Sequence, residues 1–302
     1  MSYIAVAGGV NVDIGAQSAR RLQSKDSNPG RVRTGLGGVG SNIAHNLALL
    51  GADVELLTAI GSDHYAEMVV RSCAELGIGV SHALRVPGGV TSAYVYISDE
   101  RGDMALAVSD MTICDALTPE YFAAQLDVLN GAALVVADTN LPTASLAYLA
   151  EHLNVPLFVD PVSATKTERL AGLLPHIHTL KPNALEAEIL SGVPVVDRNS
   201  ARRAARRLIE SGVRQVFLSL GKEGFLAAAE DETVWQPAPE AEVRNTTGAG
   251  DAMMAALVWA HLRGENLSRA ATLGAAAAAI TIESEETISP ALSAEAVLRR
   301  AL

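Results

Sequence analysis

The feature that most constrains the fold of this chain is the alternation of short apolar runs with segments of helical spacing. Tyr3–Gly8, Ala133–Ala137 and Leu157–Asp160 are short apolar runs of the kind that form buried strands. Among the segments that alternate with such runs, Thr143–Leu153 and Gly250–Arg263 place their apolar residues at helical spacing. Strands separated by helices predict βαβ units, and therefore a mostly parallel sheet that is covered on both faces.

Two stretches break this alternation. Residues 14–36 are polar and irregular, whereas residues 84–110 contain two alternating runs, Thr91–Ser98 and Met104–Val108, joined by a polar turn that includes Gly102. Two such runs around a polar turn predict a β-hairpin. Because ligands of open α/β sheets bind outside the carboxyl ends of the strands, we expect both stretches to leave the main sheet and form a small lid over that edge.

Length and charge narrow the functional classes. A chain of 302 residues fits one large α/β domain or two smaller ones, and it can bury a core without disulfides. There are 23 basic and 34 acidic residues, and a formal charge of −11 without a basic patch argues against nucleic acid or an anionic membrane surface as a partner. The arginines within residues 202–207 have the spacing of a solvated helix face.

No segment of the sequence predicts secretion or membrane insertion. The first residues enter a strand-like run without a charged leader, and the late apolar stretches are shorter than the roughly 20 residues that a spanning helix needs. Cys73 and Cys114 lie in apolar or mixed stretches, which indicates buried thiols in a reducing compartment. We therefore expect a cytoplasmic protein.

The strongest chemical motif is a small-residue turn before a predicted helix, with the sequence Asn245-Thr246-Thr247-Gly248-Ala249-Gly250-Asp251. The small residues 248–250 allow backbone N–H groups to face a concavity, and the helix adds its positive end, so the turn suits an anion. Asp251 is then placed to accept a proton from a hydroxyl that attacks a phosphoryl group. Taken alone, the same residues also fit an ordinary turn with an acid in the first turn of a helix.

A second glycine turn also precedes a helix, with the sequence Gly37-Gly38-Val39-Gly40-Ser41-Asn42-Ile43-Ala44. Glycines at this position allow the backbone to approach a ligand closely. The Asn42 amide offers both a donor and an acceptor, which suits a sugar hydroxyl. The glycine spacing differs from the G-x-G-x-x-G fingerprint of dinucleotide-binding proteins, and the chain contains no Walker A loop.

In their order and separation, the two glycine motifs resemble the two signatures of the ribokinase-like (PfkB) family of carbohydrate kinases. The resemblance extends over nearly the whole chain and implies one three-layer α/β/α domain, residues 1–302, with a mostly parallel central sheet and a small β-sheet lid. It also implies ATP-dependent phosphorylation with Mg²⁺, with Asp251 as the general base and Gly248, Ala249 and Gly250 as the anion hole.

The resemblance implies further site residues. Contacts to the acceptor sugar are expected from Asn11, Asp13, Gly38 and Asn42. Nucleotide and phosphate contacts are expected from Asn183, Glu186, Ser219, Gly221, Gly224, Ala275 and Ala279, with Glu186 near Mg²⁺ through water. Lys166 is a candidate contact to a phosphate or to a substrate carbonyl, although a single lysine is more often a solvated surface group.

Several other stretches resemble the pseudouridine kinases of this family more than its ribokinases, fructokinases or adenosine kinases: residues 26–30, 91–94, 138–140, 160–166 and 178–183. This implies the 5′-hydroxyl of pseudouridine as the acceptor, with Ser27 and Asn28 at the edge of the uracil ring and with Thr91 and Asn140 as further contacts. Residues 27–30 alone also fit an ordinary turn. Another nucleoside or sugar, such as ribose, adenosine or uridine, and a catalytically silent sugar- or nucleotide-binding regulator remain alternatives.

One residue departs from the family pattern, because many members carry aspartate at the position of Asn245. That position is close to where the family often binds a monovalent cation, so activation by K⁺ is left open. The resemblance also implies a homodimer formed through the lid, whose exposed strand edges and apolar face are surfaces that a partner commonly covers. Tyr94 and Tyr96 lie on one face of a lid strand, where they either pack against a base or form the dimer contact.

Overall fold

The structure is a computed structural model that describes residues 3–302, so Met1 and Ser2 of the predicted domain lie outside the described residues. The strands within that range are β1 (Ile4–Ala7), β2 (Asn11–Ser18), β3 (Gly30–Gly37), β4 (Val54–Leu57), β5 (Ala59–Ile60), β6 (Leu84–Arg85), β7 (Ala93–Ser98), β8 (Met104–Asp110), β9 (Val135–Asp138), β10 (Leu157–Asp160), β11 (Thr179–Leu180), β12 (Gln215–Ser219), β13 (Phe225–Ala228) and β14 (Thr233–Gln236).

The α-helices of the described chain are α1 (Val39–Leu49), α2 (His64–Glu75), α3 (Pro119–Ala124), α4 (Leu126–Gly131), α5 (Thr143–His152), α6 (Ala164–Thr167), α7 (Ala184–Ser191), α8 (Arg198–Glu210), α9 (Ala249–Leu262), α10 (Leu267–Ile282) and α11 (Ala294–Arg300). Short 3₁₀ turns cover Thr112–Ala116, Glu168–Leu170, Leu174–His176 and Gly221–Glu223.

The central sheet has eight strands in the order β14-β13-β12-β11-β10-β9-β1-β4 within residues 3–302. The neighbouring pairs from β12 to β4 are parallel, and β13 and β14 join that sheet as antiparallel strands at one edge. The predicted mostly parallel sheet is therefore confirmed. The carboxyl ends of β1, β9 and β10 lie side by side, which gathers the residues that follow them at one edge of the sheet.

Helices cover both faces of this sheet, as alternate residues of its strands show. On β1, Ile4 and Val6 belong to one core cluster, which also contains residues of α1, α2, α9 and α10, whereas Ala5 and Ala7 belong to a second cluster with residues of α5 and α8. Because successive side chains of a strand point to opposite faces, two separate cores define a three-layer α/β/α arrangement. This is the three-layer arrangement that the family resemblance implies.

A second sheet stands apart from the first and has the strand order β3-β2-β7-β8. Strands β7 and β8 form the predicted hairpin, and β2 pairs with β3 in antiparallel and with β7 in parallel orientation. The description of residues 14–36 as irregular was wrong for most of that stretch, because β2 and β3 pair along eight residues each. Glycines and arginines interrupt their apolar alternation, so pairing, of β3 with β2 and of β2 with β7, sets these strands more than local propensity does. Residues 84 and 85 belong instead to a two-stranded sheet, β5-β6.

Other features of the described chain agree with the sequence. Cys73 and Cys114 are free thiols, and both are buried. Within residues 3–302, no helix is both long and apolar enough to cross a bilayer.

Candidate active site

The site is built where the two glycine turns meet at the carboxyl edge of the central sheet. Gly38 precedes α1 with a φ of +94°, and a Cβ on it would lie 2.5 Å from the carbonyl oxygen of Gly9. Only glycine fits a position with both a left-handed backbone and so close a neighbour. This close approach brings the start of α1 against the loop after β1.

Asp138, the last residue of β9, joins the loop after β1 to the start of α1. Its Oδ2 accepts hydrogen bonds from the N–H of Gly9 at 2.9 Å and from the N–H of Gly40 at 2.8 Å. The other oxygen accepts from the N–H of Asn140 at 2.8 Å. Since the Asp138 side chain is only 1% exposed, this carboxylate fixes backbone groups of the site rather than facing solvent.

The predicted anion hole lies at the start of α9. Gly248 has a φ of +83°, and a Cβ there would lie 1.9 Å from the carbonyl oxygen of Thr287, so glycine is required on both grounds. No side chain caps this helix, which leaves the N–H groups of its first turn available for a ligand. A helix N-terminus with free N–H groups favours an anion.

Asp251 lies in the first turn of α9, beside that hole. The Nδ2 of Asn42 donates a hydrogen bond of 2.8 Å to the Oδ2 of Asp251, which joins the two motifs found in the sequence. Burial and then the charge of Asp160 raise the pKa of Asp251, the Asn42 hydrogen bond and the charge of Lys181 oppose them, and the resulting pKa is about 7. A carboxylate with this pKa can exchange a proton near neutral pH.

A buried ion pair lies under the hole. The Nζ of Lys181 is 3.0 Å from the Oδ2 of Asp160, and both side chains are less than 10% exposed. Burial lowers the pKa of Lys181, but the Asp160 and Asp251 carboxylates outweigh this effect and raise it. Because a Cβ on Gly250 would lie 3.2 Å from the Lys181 Nζ, the ammonium group is next to the backbone of the anion hole and adds positive charge there.

The residues predicted to bind the acceptor form a second cluster beside Asp251. Asn11 donates from Nδ2 to the Oδ1 of Asp13 at 2.6 Å. Burial raises the pKa of Asp13, and this hydrogen bond opposes the shift. The Oδ1 of Asn42 is buried and has no hydrogen-bond partner within residues 3–302. An unpaired buried oxygen next to Asp251 suits a hydroxyl donor on a ligand.

Asn140 and Lys166 belong to the same side of the site. The Nζ of Lys166 donates to the Oδ1 of Asn140, and Asn140 follows the Asp138 carboxylate that holds Gly9. A Cβ on Gly9 would lie 2.8 Å from the Nδ2 of Asn140. Lys166 therefore lies beside Asn140, a predicted acceptor contact, and of its two predicted roles this position favours the contact to the substrate.

The residues predicted to bind the nucleotide lie along the ends of β11 and β12. Asn183 and Glu186 form a capping box at the start of α7, in which the Asn183 Oδ1 accepts from the Glu186 N–H at 3.0 Å and the Glu186 Oε2 accepts from the Asn183 N–H at 2.8 Å. Burial raises the pKa of Glu186. Ser219 donates its N–H to the Pro182 carbonyl at 2.9 Å, which brings the loop with Gly221 and Gly224 beside this box.

Glu186 was also the predicted magnesium contact. Its Oε1 makes no hydrogen bond to another residue of the described chain, so one carboxylate oxygen is available to a water molecule of a hydrated cation. Within residues 3–302, no three His, Cys, Asp or Glu side chains are grouped as a preformed metal site. The available donor therefore fits an ion that is held mainly by other ligands.

The side chain of Thr91, a predicted substrate contact, bonds to other residues of the chain. Thr91 is 1% exposed, and its hydroxyl donates to the Oδ1 of Asp63 at 2.7 Å and accepts from the Gly61 N–H at 2.9 Å. These bonds anchor the segment before β7 to the N-cap of α2, and the expected substrate contact of Thr91 remains a prediction.

Ser27 and Asn28 lie in the turn between β2 and β3. The Asn28 amide binds the backbone N–H and carbonyl of Gln23 at 2.8 and 2.9 Å. The ladder from Asn11 to Ser18 places this turn about 23 Å along the strand from Asn11, at about 3.3 Å per residue. The turn therefore lies away from Asp13 of the same chain and fits the simpler interpretation as an ordinary turn, and the expected contact of both residues with a base remains a prediction.

Ala275 and Ala279 lie on α10, and their side chains are 3% and 1% exposed. Neither methyl group is open to a ligand in this structure, and Ala275 packs in the core cluster that includes α9. Their expected contact with adenine remains a prediction.

The sequence analysis missed the roles of Asp138, Asp160 and Lys181. Asp138 and Asp160 are paired neighbours at the ends of β9 and β10, and both strands are apolar runs that end in aspartate. A carboxylate at the carboxyl end of a buried parallel strand was the signal that could have found them. Arg169 was also missed, and its Nη1 donates to the carbonyls of residues 139, 140 and 141 at 2.9–3.1 Å.

Comparisons with known proteins agree with this geometry. A sequence model of the pfkB family carbohydrate kinases matches residues 1–294. The chain is 38% identical to the pseudouridine kinase of Escherichia coli K12, over 96% of this chain and 94% of that protein. It is 37% identical to the uncharacterized sugar kinase YeiI of the same organism, over 98% of this chain and 82% of that protein.

Among solved structures, the ribokinase of Thermotoga maritima superimposes with a TM-score of 0.86, at 25% identity and over 99% of both chains. The match of the family model over nearly the whole sequence and the two relatives above 30% identity agree with the position of Asp251 beside an anion hole. The chain therefore belongs to the pfkB family of carbohydrate kinases and is a sugar or nucleoside kinase.

Proposed function

We propose that the protein transfers the γ-phosphoryl group of ATP to the 5′-hydroxyl of pseudouridine. The main support for this reaction is the position of Asp251. It lies in the first turn of α9, beside an uncapped helix N-terminus, and accepts a hydrogen bond from Asn42. A relative that is 38% identical over 96% of this chain is named pseudouridine kinase, and this supports the acceptor.

Asp251 acts as the general base. As the acceptor oxygen forms its bond to the γ-phosphorus, the O–H proton moves to a carboxylate oxygen of Asp251, and the bond to the bridging oxygen of ADP breaks. A pKa of about 7 suits this role, because a base whose pKa is near the working pH is both available and strong enough. The nearby Lys181 ammonium limits the rise of that pKa.

The anion hole stabilises the charge on the transferred phosphoryl group. The N–H groups of residues 248–250 and the first turn of α9 supply fixed dipoles, and Lys181 beneath Gly250 supplies a full positive charge. A protein with a formal charge of −11 can therefore bind a polyanion locally, because backbone N–H groups and one buried cation make most of the contacts to the phosphates.

The nucleotide lies across the loop with Ser219, Gly221 and Gly224, with adenine toward α10. A bound Mg²⁺ would supply positive charge to the phosphates. Glu186 would hold its hydration shell through the free Oε1, and the capping box with Asn183 orients that carboxylate. The position of this box beside the Ser219 loop supports the assignment.

The acceptor ribose binds Asn11, Asp13, Gly38 and Asn42, with Asn140 and Lys166 beside them. The carboxylate of Asp13 and the unpaired Oδ1 of Asn42 accept hydrogen bonds from ribose hydroxyls. The four-stranded sheet acts as a lid that excludes water from the phosphoryl group, which limits wasteful hydrolysis of ATP.

The lid also supports a homodimer. Val95, Ile97, Leu106 and Val108 lie on one face of β7 and β8, and each is between 37% and 64% exposed. An exposed apolar face of this kind is a surface that a second copy of the chain can cover. The buried free thiols and the use of ATP support a reducing compartment such as the cytoplasm.

The test is ADP release with a panel of acceptors at saturating MgATP. We expect the highest kcat/KM with pseudouridine, ahead of uridine, adenosine and ribose. Equal or better turnover of ribose or uridine would contradict the proposed acceptor. Binding of nucleotide and nucleoside without release of ADP would instead favour a silent regulator.

A further inference from the structure

The face of the four-stranded sheet that carries Tyr94 and Tyr96 can be assigned from the strand register. Asp13 on β2 is the ladder partner of Tyr94 on β7, and Gly15 is the partner of Tyr96. Ladder partners point to the same face, and successive residues point to opposite faces. The two tyrosines therefore share the face of Asp13, whereas Val95 and Ile97 share the opposite, apolar face.

This shared face continues from the acceptor cluster. Asp13 accepts a hydrogen bond from Asn11. A Cβ on Gly37 would lie 2.4 Å from the Asp13 Oδ2, so the Asp13 carboxylate lies against the last residue of β3. Neighbouring strands are about 4.8 Å apart, and a step of two residues along a strand is about 6.6 Å. Tyr94 and Tyr96 thus lie at about the distance that separates the ribose of a nucleoside from the middle of its base.

The two rings form a continuous aromatic surface. Their centroids are 5.7 Å apart with an interplanar angle of 34°, and the Tyr94 hydroxyl reaches the Sδ of Met104 at 3.5 Å. A Cβ on Gly15 would lie 2.4 Å from the Tyr96 ring, so that ring lies directly over the glycine. Neither tyrosine is fully buried, which leaves ring surface for a ligand.

On the other side of Asp13, strand β3 has no side chain at the neighbouring position, because that residue is glycine. Gly35 is the ladder partner of Asp13, it is exposed, and a Cβ on it would meet no atom within 4 Å. The same face therefore presents open space over β3 and aromatic rings over β7, with a carboxylate between them. That arrangement has room for a flat ring beside a sugar held at Asp13.

We infer that Tyr94 and Tyr96 form the stacking surface for the base of a nucleoside acceptor, and that the gap at Gly35 admits the edge of that base. This inference rests on the proposed function, because it places the ribose at Asp13. It assigns the preference for nucleosides over free pentoses to one face of the lid, and it leaves the opposite face, with Val95 and Ile97, to contact between subunits.

The experiment compares kcat/KM for the nucleoside that the wild type uses best with kcat/KM for free ribose. Tyr94→Leu and Tyr96→Leu keep apolar volume but remove the ring, and we expect each to lower the nucleoside-to-ribose ratio about 5- to 100-fold, the range of lost base stacking. Tyr94→Phe and Tyr96→Phe retain the ring and should keep the ratio near that of the wild type. Val95→Ala and Ile97→Ala, on the same strand but the opposite face, are the matched controls.

Gly35→Ala provides a second test if a leucine variant does not fold, because the added methyl group meets no protein atom. It should lower the ratio by roughly fivefold through overlap with the base. An unchanged ratio in the folded leucine variants, or in Gly35→Ala if those variants do not fold, would overturn the inference while leaving the proposed reaction intact.

If the wild type uses a nucleoside other than pseudouridine, the proposed acceptor fails and the stacking test applies to that nucleoside. A wild type that uses only free sugars overturns both.

Discussion

The Asn42 side chain donates a hydrogen bond of 2.8 Å to the carboxylate of Asp251, across 209 positions of sequence. Asn42 comes from the first helix and Asp251 from the start of α9, so this bond joins the turn beside the acceptor residues to the anion hole. A single contact therefore orients the proposed base toward the place where the acceptor hydroxyl must lie. Five expected results follow from this contact and its surroundings.

Removal of the Asn42 amide should change the pH dependence of the reaction. With the pKa of Asp251 at about 7, kcat/KM of the wild type should rise with pH through a midpoint near that value. The Asn42 hydrogen bond lowers that pKa, so Asn42→Ala should move the midpoint to higher pH as well as reduce the rate. The pH profile of kcat/KM measures this shift, with Asn46→Ala on the same helix as the control. A midpoint that does not move would show that the contact leaves the base unaffected.

Removal of Lys181 should destabilise the fold as well as the reaction. Lys181→Met leaves the Asp160 carboxylate buried without a partner, and loss of one member of a buried pair costs about 3–5 kcal/mol. Denaturant unfolding should show this loss for the single variant. The double variant Lys181→Met/Asp160→Asn should recover part of the stability, since no charge is then left unpaired. Equal stability of Lys181→Met and the wild type would show that the pair is not coupled in the way its geometry indicates.

Substitution of Asn245 should alter the response to monovalent cations. The Asn245 Nδ2 donates to the Glu285 carbonyl at 3.2 Å, and its Oδ1 accepts from the Thr247 N–H at 2.9 Å, so the amide joins two loops beside the anion hole. In Asn245→Asp, a carboxylate oxygen would face that carbonyl, and a bound cation would relieve the repulsion. We expect KCl to stimulate this variant more than the wild type, relative to choline chloride. Equal stimulation of both proteins would contradict this expectation.

The stability of the protein should fall on acidification. Burial lowers the pKa of His178 to about 4, with smaller contributions from the charges of His261 and Arg214. The folded state thus favours the neutral ring, and its advantage is complete above pH 6.5 and declines as the pH falls from about 6.5 to about 4. Urea unfolding at a series of values between about pH 7.5 and about pH 4.5 measures the decline. His178→Phe, which cannot be protonated beside Phe158, should show a weaker decline, whereas the surface variant His152→Phe should resemble the wild type.

The sequence predicted the fold and the two glycine turns because both depend on local patterns. Apolar runs, helical spacing and glycines next to a helix start are visible within about ten residues. Asp251 could be found for the same reason, since it directly follows such a turn. The register that places Tyr94 beside Asp13 could not be found, because pairing between β2 and β7 depends on residues about 80 positions apart.

The residues that the sequence analysis missed act through tertiary contacts. Asp138 holds Gly9 and Gly40, and Lys181 is next to Gly250, but neither side chain has a local signature of these roles. Thr91 shows the opposite case. The resemblance of residues 91–94 implied a ligand contact, and in the structure the Thr91 hydroxyl donates a hydrogen bond to Asp63. Whether a polar side chain faces a ligand or another residue is decided by packing that no short motif records.

The most direct test of the account is the rate of phosphoryl transfer to pseudouridine in a single turnover, measured for the wild type and for Asp251→Asn. General-base catalysis contributes about 10²–10⁴-fold, so the rate constant of the variant should fall by at least about 100-fold while its affinity for ATP stays within a few-fold of the wild type. Asp231→Asn, an exposed change on the turn between β13 and β14, is the matched control. Near-normal transfer by Asp251→Asn would contradict the role of Asp251 as the base.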